Sequence, residues 1–358
     1  MRNKNKSVLV LIIGIIILLA VYVVAVPKLR RKFNVIKTPW GEKIKSGNLA
    51  PDYEIYKTLE DVKKFKLNTI NVPVLIDIKD LNSSNVTVNR KSIEKAKTLI
   101  DRLNRRGINV ILEAFPFIKN GELYETKWKP DNLDKFFYNW ENKALNKIVE
   151  EVAIPYDVYA VNVASNFVNM EKYQDKWCKI IDNISNKYKG KITYRTNWWY
   201  TSKIDKNSQK AFEEKLENKI FSKVDFISVA AYFELSDKEE NKTKYLKKCL
   251  KSSKVYNRHQ NIYGELKKLS EKWGKPIFFG ELGFPRRKGA AKEPWNPIPT
   301  SVVSGQEQAN CFEAYRDVFK NQQWHLGFSI FAIGKEDEFK YYYPSKESTE
   351  ILKNWYNN

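Results

Sequence analysis

The residue most suited to chemistry in this sequence is Glu281. It stands in the stretch KPIFFGELGFPR (275–286), on an otherwise apolar run and between Gly280 and Gly283. An apolar strand has no structural need for a carboxylate near its end, and flanking glycines leave room for a ligand. The structural alternative is a buried carboxylate paired with Arg195 or Arg286. Other polar residues sit at comparable places. YAVNVASNFVNMEKY (159–173) presents Asn166 and Glu171, and ITYRTNWWY (192–200) presents Arg195, Asn197, Trp198 and Trp199. FISVAAYFEL (226–235) presents Tyr232 and Glu234, ILEAFPF (111–117) carries Glu113, and TPWGE (38–42) carries Trp40. Trp40, Asn166, Arg195, Asn197, Trp198 and Tyr232 are the expected ligand-binding set, with Glu171 and Glu113 as further candidate acids. Glu171 also reads as a first-turn helix carboxylate, favoured by the helix dipole. Glu113 also reads as an interior partner for Arg195, because charges inside a barrel need pairing.

The elements that hold these residues follow from a repeated rhythm. Short apolar runs at 33–39, 69–76, 109–116, 158–165, 191–197, 226–232, 276–282 and 325–332 alternate with amphipathic stretches. The latter lie at 54–66, 91–107, 132–152, 171–190, 208–221, 260–274, 305–321 and 346–357. Strands alternating with helices imply parallel βαβ units, and eight units in series are what a closed (β/α)8 TIM barrel requires. An open doubly wound sheet would normally carry a Gly-rich phosphate loop after its first strand, and none is present. Gly107, Gly190 and Gly274 are expected to close helices in the left-handed conformation. In such barrels ligands meet the C-terminal ends of the strands, where the residues named above fall.

Composition narrows the function. The chain has 358 residues and a net charge of +21, but its lysines are dispersed and no nucleic-acid signature accompanies them. A nucleic-acid partner is therefore not expected. Three cysteines (Cys178, Cys249, Cys311) without a CxxC pair, and only two histidines, offer neither a disulfide framework nor a zinc site. No metal or cofactor is expected, and the thiols read as buried and free. The load of 10 Trp and 20 Tyr suits flat sugar faces as well as a packed core. Residues 7–26 are apolar and uncharged, long enough to span a bilayer as a helix. The expected layout is a single transmembrane anchor with a basic linker (1–32) followed by one barrel (33–358). The anchor would place the protein at the cell membrane; basic residues on both sides leave orientation undecided by charge.

FFGELGFPR, VDFISVAAYFEL and KGKITYRTNWW together resemble the retaining barrel glycosidases that place two carboxylates after the fourth and seventh strands, and are most similar to Glycoside Hydrolase Family 113. The likeness runs over most of 33–340. It implies cleavage of a β-mannan-like polysaccharide, Glu281 as nucleophile, and Tyr232 close enough to steady its charge. It also implies a barrel facing the outside of the cell. Where the family has an Asn-Glu pair carrying the general acid/base, this chain reads Ser165-Asn166 when aligned without a gap, or Asn166-Phe167 when shifted by one. An amide cannot donate a full proton, and retaining hydrolysis needs a second carboxyl about 5–5.5 Å from the nucleophile. Three accounts stay open: Glu171 swings in as acid; Glu113 or Glu234 serves instead; or the domain binds a polysaccharide at the membrane, in its assembly or export, without cutting it.

Overall fold

The computed structural model describes residues 37–336 and 341–356. The expected anchor and basic linker at 1–32 lie outside the described residues, and no helix among the described residues is long and apolar enough to cross a membrane. The compact barrel unit spans Thr38–Asn358.

Eight parallel strands close on themselves. They are β1 (Ile44–Leu49), β2 (Thr69–Ile78), β4 (Asn109–Ile118), β5 (Ala160–Ser165), β6 (Lys191–Thr196), β7 (Phe226–Ala230), β8 (Ile277–Leu282) and β9 (His325–Ile333). The order is β1-β9-β8-β7-β6-β5-β4-β2, and β1 pairs β2 to complete the ring. A two-residue strand, β3 (Thr87–Val88), runs antiparallel on the end of β2. Helices Ile55–Lys64, Arg90–Asn104, Gln174–Lys187, Lys206–Leu216, Ile262–Trp273 and Gly305–Phe319 fall where the amphipathic stretches lie. The stretch 132–152 is a helical run with two π-helical turns, at Trp140–Leu145 and Val149–Ala153. A helix at Thr243–Cys249 has no counterpart in the sequence reading. Gly107 and Gly274 take positive φ. Gly190 does not; it is small because an added Cβ would strike the Tyr188 ring.

The first strand corrects the expectation at 33–39. Residues 33–36 are not among those described, 37–39 form no strand, and β1 begins at Ile44. Its sequence, IKSGNL, is fully buried yet mostly polar, so hydrophobic patterning passes over it. The polar groups are satisfied inside: Ser46 Oγ donates to Asn71 Oδ1 at 2.7 Å, and Lys45 Nζ to the Lys353 carbonyl at 2.6 Å.

The barrel floor is apolar, built from Ile44, Ile111, Ala160, Phe226, Phe278 and Leu326. Trp40 belongs to this end. Its ring centroid lies 5.8 Å from that of Phe226 and 6.3 Å from that of Tyr159, with Lys191 Nζ 4.7 Å above it. These partners stand at the starts of β7, β5 and β6, so Trp40 caps the floor and is not part of the ligand-binding rim, contrary to the sequence-based expectation.

One layer higher the interior becomes polar. Asn71, Glu113, Arg195 and Ser228 fill it, and this requires Gly280. A Cβ there would sit 1.9 Å from Ser228 Oγ and 2.6 Å from Arg195 Nε. The glycine thus makes room for Arg195 rather than for a ligand. Gly280→Ala should force that guanidinium off its place. Overpacking of a filled core typically costs about 1–3 kcal/mol, so a lowered denaturation midpoint is expected, together with loss of whatever function Arg195 supports. Unchanged stability would contradict the close packing described.

Candidate active site

Two strands carry irregularities at the same height, and both aim a polar side chain into the barrel mouth. On β8, Phe279 pairs Val229 but Glu281 pairs the next residue, Ala230, so Gly280 is passed over. On β5, Asn162 pairs Thr193 and Ser165 pairs Arg195, three residues against two. An inserted residue re-aims side chains that strict alternation would send to the other face. Glu281 and Asn166, separated along the rim by β6 and β7, approach each other across the mouth. Asn166 adopts φ 58°, a conformation that asparagine tolerates better than most residues.

Glu281 is held by three groups. Arg195 Nη1 donates to its Oε1 at 2.7 Å. The Tyr232 hydroxyl hydrogen-bonds the same carboxylate, and burial followed by the Glu281 charge pushes that phenol well above its ordinary value, so it is a neutral donor. Asn166 Nδ2 stands 3.5 Å from Oε1. The other side of the Arg195 guanidinium pairs with Glu113, which also accepts from Asn71 Nδ2 at 2.7 Å. Burial raises the Glu113 carboxyl above its usual range although Arg195 and Asn71 oppose the shift. The arrangement is a buried cation between two acidic residues, one inside the barrel and one at its mouth.

Glu113 is therefore the interior partner of Arg195 and not a free acid. Glu171 is also spoken for. Its carboxylate accepts from Lys215 Nζ at 2.6 Å and Thr196 Oγ1 at 2.8 Å. Thr196 follows Arg195 on the strand, so it points away from the interior. Glu171 thus lies behind the barrel wall and cannot serve as the site's acid. Glu234 is ion-paired with Arg258 and receives the Trp295 indole N–H at 3.1 Å, which ties the loop at 293–299 down.

The residue that sequence reasoning missed is Glu125. It opens a short 3-10 turn, Glu125–Lys127, in the loop after β4. Asn166 Nδ2 donates to Glu125 Oε1 at 3.0 Å and lies 3.5 Å from Glu281 Oε1. Those two legs set an upper bound of 6.5 Å on the separation of the carboxylate oxygens. Burial first, then the charge of Glu281, raises the Glu125 carboxyl to about 7. The available signal was the loop GELYETKWKP (121–130) at the C-terminal end of a barrel strand, with acidic and aromatic residues and no helical pattern. Such loops commonly carry function.

Around this centre, Trp198 lies partly exposed with its ring 5.5 Å from that of Tyr232, placed to receive a flat ligand face. Trp199 is buried, bonded to Glu265 and packed on Phe212 and Phe233, so it is structural. Asn166 Oδ1, Asn197 Oδ1 and Arg195 Nε are buried without a partner among the described residues. Unsatisfied buried polar atoms are few in proteins and call for a reason; the two asparagine oxygens at the barrel mouth suit a site that binds a hydroxyl-rich ligand, whereas Arg195 Nε packs against Gly280. No cluster of potential metal ligands occurs among the described residues. Cys249 and Cys311 are buried free thiols, whereas Cys178 is only partly covered.

A closed parallel barrel with a clamped carboxylate at the end of its seventh barrel strand has the architecture of barrel glycosidases. The model of Glycoside Hydrolase Family 113 matches residues 39–349, and the chain belongs to that family. Solved structures agree in fold. A Glycoside Hydrolase Family 113 β-1,4-mannanase superposes with a TM-score of 0.67 at 19% identity, over 88% of this chain and 99% of that one. The family's β-mannanase AaManA from Alicyclobacillus acidocaldarius gives a TM-score of 0.67 at 15% identity, over 88% and 97%. A Ruminococcus gnavus β-glucuronidase gives a TM-score of 0.54 at 12% identity, over 88% of this chain and 50% of that one. No curated protein sequence matches the chain.

The raised Glu125 carboxyl has a consequence for stability. A group whose pKa is higher in the folded state stabilises the fold fully below its unfolded value, and that contribution fades as pH rises through the folded value. For Glu125 the window runs from 4.5 to about 7. Glu125→Gln cannot ionise, so it should match the parent at pH 4 and exceed it at pH 8. At roughly 1.4 kcal/mol per pK unit the gain is about 3 kcal/mol at most, less after solvent screening. Denaturant titrations at the two pH values measure it; a difference independent of pH would contradict the assignment.

Proposed function

We propose that the barrel is a retaining β-glycosidase acting on a mannan-type polysaccharide, with Glu281 as nucleophile. The observation that carries this reading is the clamp on Glu281. Arg195 at 2.7 Å and the neutral Tyr232 hydroxyl hold one carboxylate in place at the strand end where such barrels work. In the first step a Glu281 oxygen attacks the anomeric carbon as the glycosidic C–O bond breaks, leaving a glycosyl ester. In the second, water adds to that carbon and the carboxylate leaves. Two inversions give net retention. Arg195 orients the Glu281 carboxylate for attack and stabilises it again as a leaving group. Trp198 supplies a platform for a sugar ring, and Asn166 and Asn197 supply hydrogen bonds to hydroxyls. The mannan assignment rests on family membership and on the β-mannanase names of the structural relatives.

The apolar run at 7–26 supports a membrane anchor, and a polymer substrate supports a barrel facing outward. A second reading is favoured by the stretch Asn166-Phe167, which on the resemblance offers no carboxyl where the family carries its acid/base. On that reading the protein binds polysaccharide at the membrane without cutting it.

The readings separate with 2,4-dinitrophenyl β-mannoside, β-glucoside and β-N-acetylglucosaminide, whose leaving group departs unprotonated. The parent protein should cleave the mannoside, and Glu281→Gln should reduce that turnover by at least a thousandfold. A 2-deoxy-2-fluoro analogue of the cleaved glycoside should label the intact protein on Glu281, as read by peptide mass spectrometry. Inertness toward all three substrates with measurable mannan binding would establish the second reading instead.

A further inference from the structure

We propose that Glu125, delivered from the loop after β4, is the general acid/base of this site, and that Asn166 is the positioning residue that holds it against Glu281. The inference rests on the glycosidase reading and deepens it.

The geometry is the first ground. Asn166, which the ungapped resemblance puts at the family's acid position, stands 3.0 Å from Glu125 Oε1 and 3.5 Å from Glu281 Oε1. The resulting ceiling of 6.5 Å on the distance between these two oxygens accommodates the 5–5.5 Å spacing of retaining pairs. Of the other carboxylates considered, Glu113 is bound to Arg195 and Asn71 inside the barrel, Glu171 to Lys215 and Thr196 behind the wall, and Glu234 to Arg258.

The second ground is that the loop is built to hold Glu125 still. Three residues on, Trp128 is fully buried, its ring 5.3 Å from that of Phe167 and 5.9 Å from that of Trp140. Its indole N–H donates to the Ser83 carbonyl at 2.9 Å, and its own carbonyl accepts from Asn169 Nδ2 at 2.9 Å. Phe167 and Asn169 belong to the loop that carries Asn166. The two loops are thereby locked together, and Glu125 and Asn166 move as a unit. A solvated surface glutamate would need no such anchoring.

The third ground is charge. Glu125 faces Glu281 and, farther off, Arg195; burial and the Glu281 charge raise its carboxyl to about 7, while Asn166 and Arg195 oppose the rise. It therefore holds a proton up to near-neutral pH. As Glu281 becomes an ester its charge vanishes and Glu125 becomes more acidic. In the first step the Glu125 proton passes to the glycosidic oxygen as the C–O bond breaks and the Glu281 ester forms. In the second, Glu125 takes a proton from water, the water oxygen bonds to the anomeric carbon, and Glu281 leaves as carboxylate. The proton count closes over the cycle.

The test compares the parent protein with Glu125→Ala and Glu125→Gln on β-1,4-mannohexaose and on 2,4-dinitrophenyl β-mannoside, with and without sodium azide. General acid help is worth about 10²–10⁴-fold. Loss of that order on the oligosaccharide is expected, with formation of the glycosyl ester from the dinitrophenyl substrate nearly unchanged. Azide should accelerate turnover of that substrate by Glu125→Ala and yield β-mannosyl azide, and the alkaline limb of the pH profile should disappear. Three results would overturn the proposal. Undiminished oligosaccharide cleavage by the variants is one. Equal loss on both substrates without azide rescue, which marks a structural role, is another. A parent protein inert on both substrates removes the glycosidase reading itself, and is recognised because the parent reaction fails before any variant is compared.

Discussion

The site depends on one buried cation. Arg195 lies in the centre of the barrel mouth with Glu113 beneath it and Glu281 above. A guanidinium taken out of water loses several kcal/mol of solvation, and only well-placed carboxylates offset that loss. Its position explains much of what surrounds it. Gly280 is a glycine because a Cβ would strike the guanidinium. Asn71 is committed to Glu113, and Ser46 and Ser329 in turn to Asn71. This chain of hydrogen bonds reaches β1 through Ser46, and its other end holds Glu281 against Arg195. Both bulged strands meet at this level, so the irregular backbone and the charged cluster are one structural feature.

Much of this was legible in the sequence. Alternation of apolar runs and amphipathic stretches was enough for the barrel, because seven of its eight strands are apolar on the face that packs against the helices. Glu281 was legible for the opposite reason, since it breaks an apolar run near a strand end, and Arg195 and Tyr232 were legible from their places at the ends of neighbouring runs and from the family resemblance. The first strand was illegible because both its faces carry polar residues, Ser46 bonded to Asn71 inside and Lys45 to the Lys353 carbonyl on the helical side, and a patterning argument that searches for apolar residues passes over it. Trp40 was misplaced along with it. Its neighbours in sequence suggested the catalytic rim, whereas Phe226 and Lys191 put it at the floor.

Glu125 was hidden for a different reason. Loop residues are positioned by tertiary contacts, and those that place Glu125 come from Asn166, Phe167 and Asn169, about forty residues away in sequence. Sequence could report that a carboxyl was missing from its customary place on β5. It could not report that a neighbouring loop had brought another to the same spot. Glu171 illustrates the converse. It lies near Asn166 in sequence, but the strand between them separates the barrel interior from the helical layer, and Lys215 and Thr196 hold it on the far side. Proximity along the chain was a poor guide, and the direction each strand residue faces was decisive.

Glu281 and Glu125 are proposed as a closely spaced retaining pair. The most direct measurement is the anomeric configuration of the first-formed product, followed by proton NMR before mutarotation while the protein cleaves β-1,4-mannohexaose. A retaining pair, which the 6.5 Å ceiling between the two Oε1 atoms accommodates, predicts that the β-anomer appears first and decays toward equilibrium. Initial appearance of the α-anomer would mean direct attack by water, and would contradict the account.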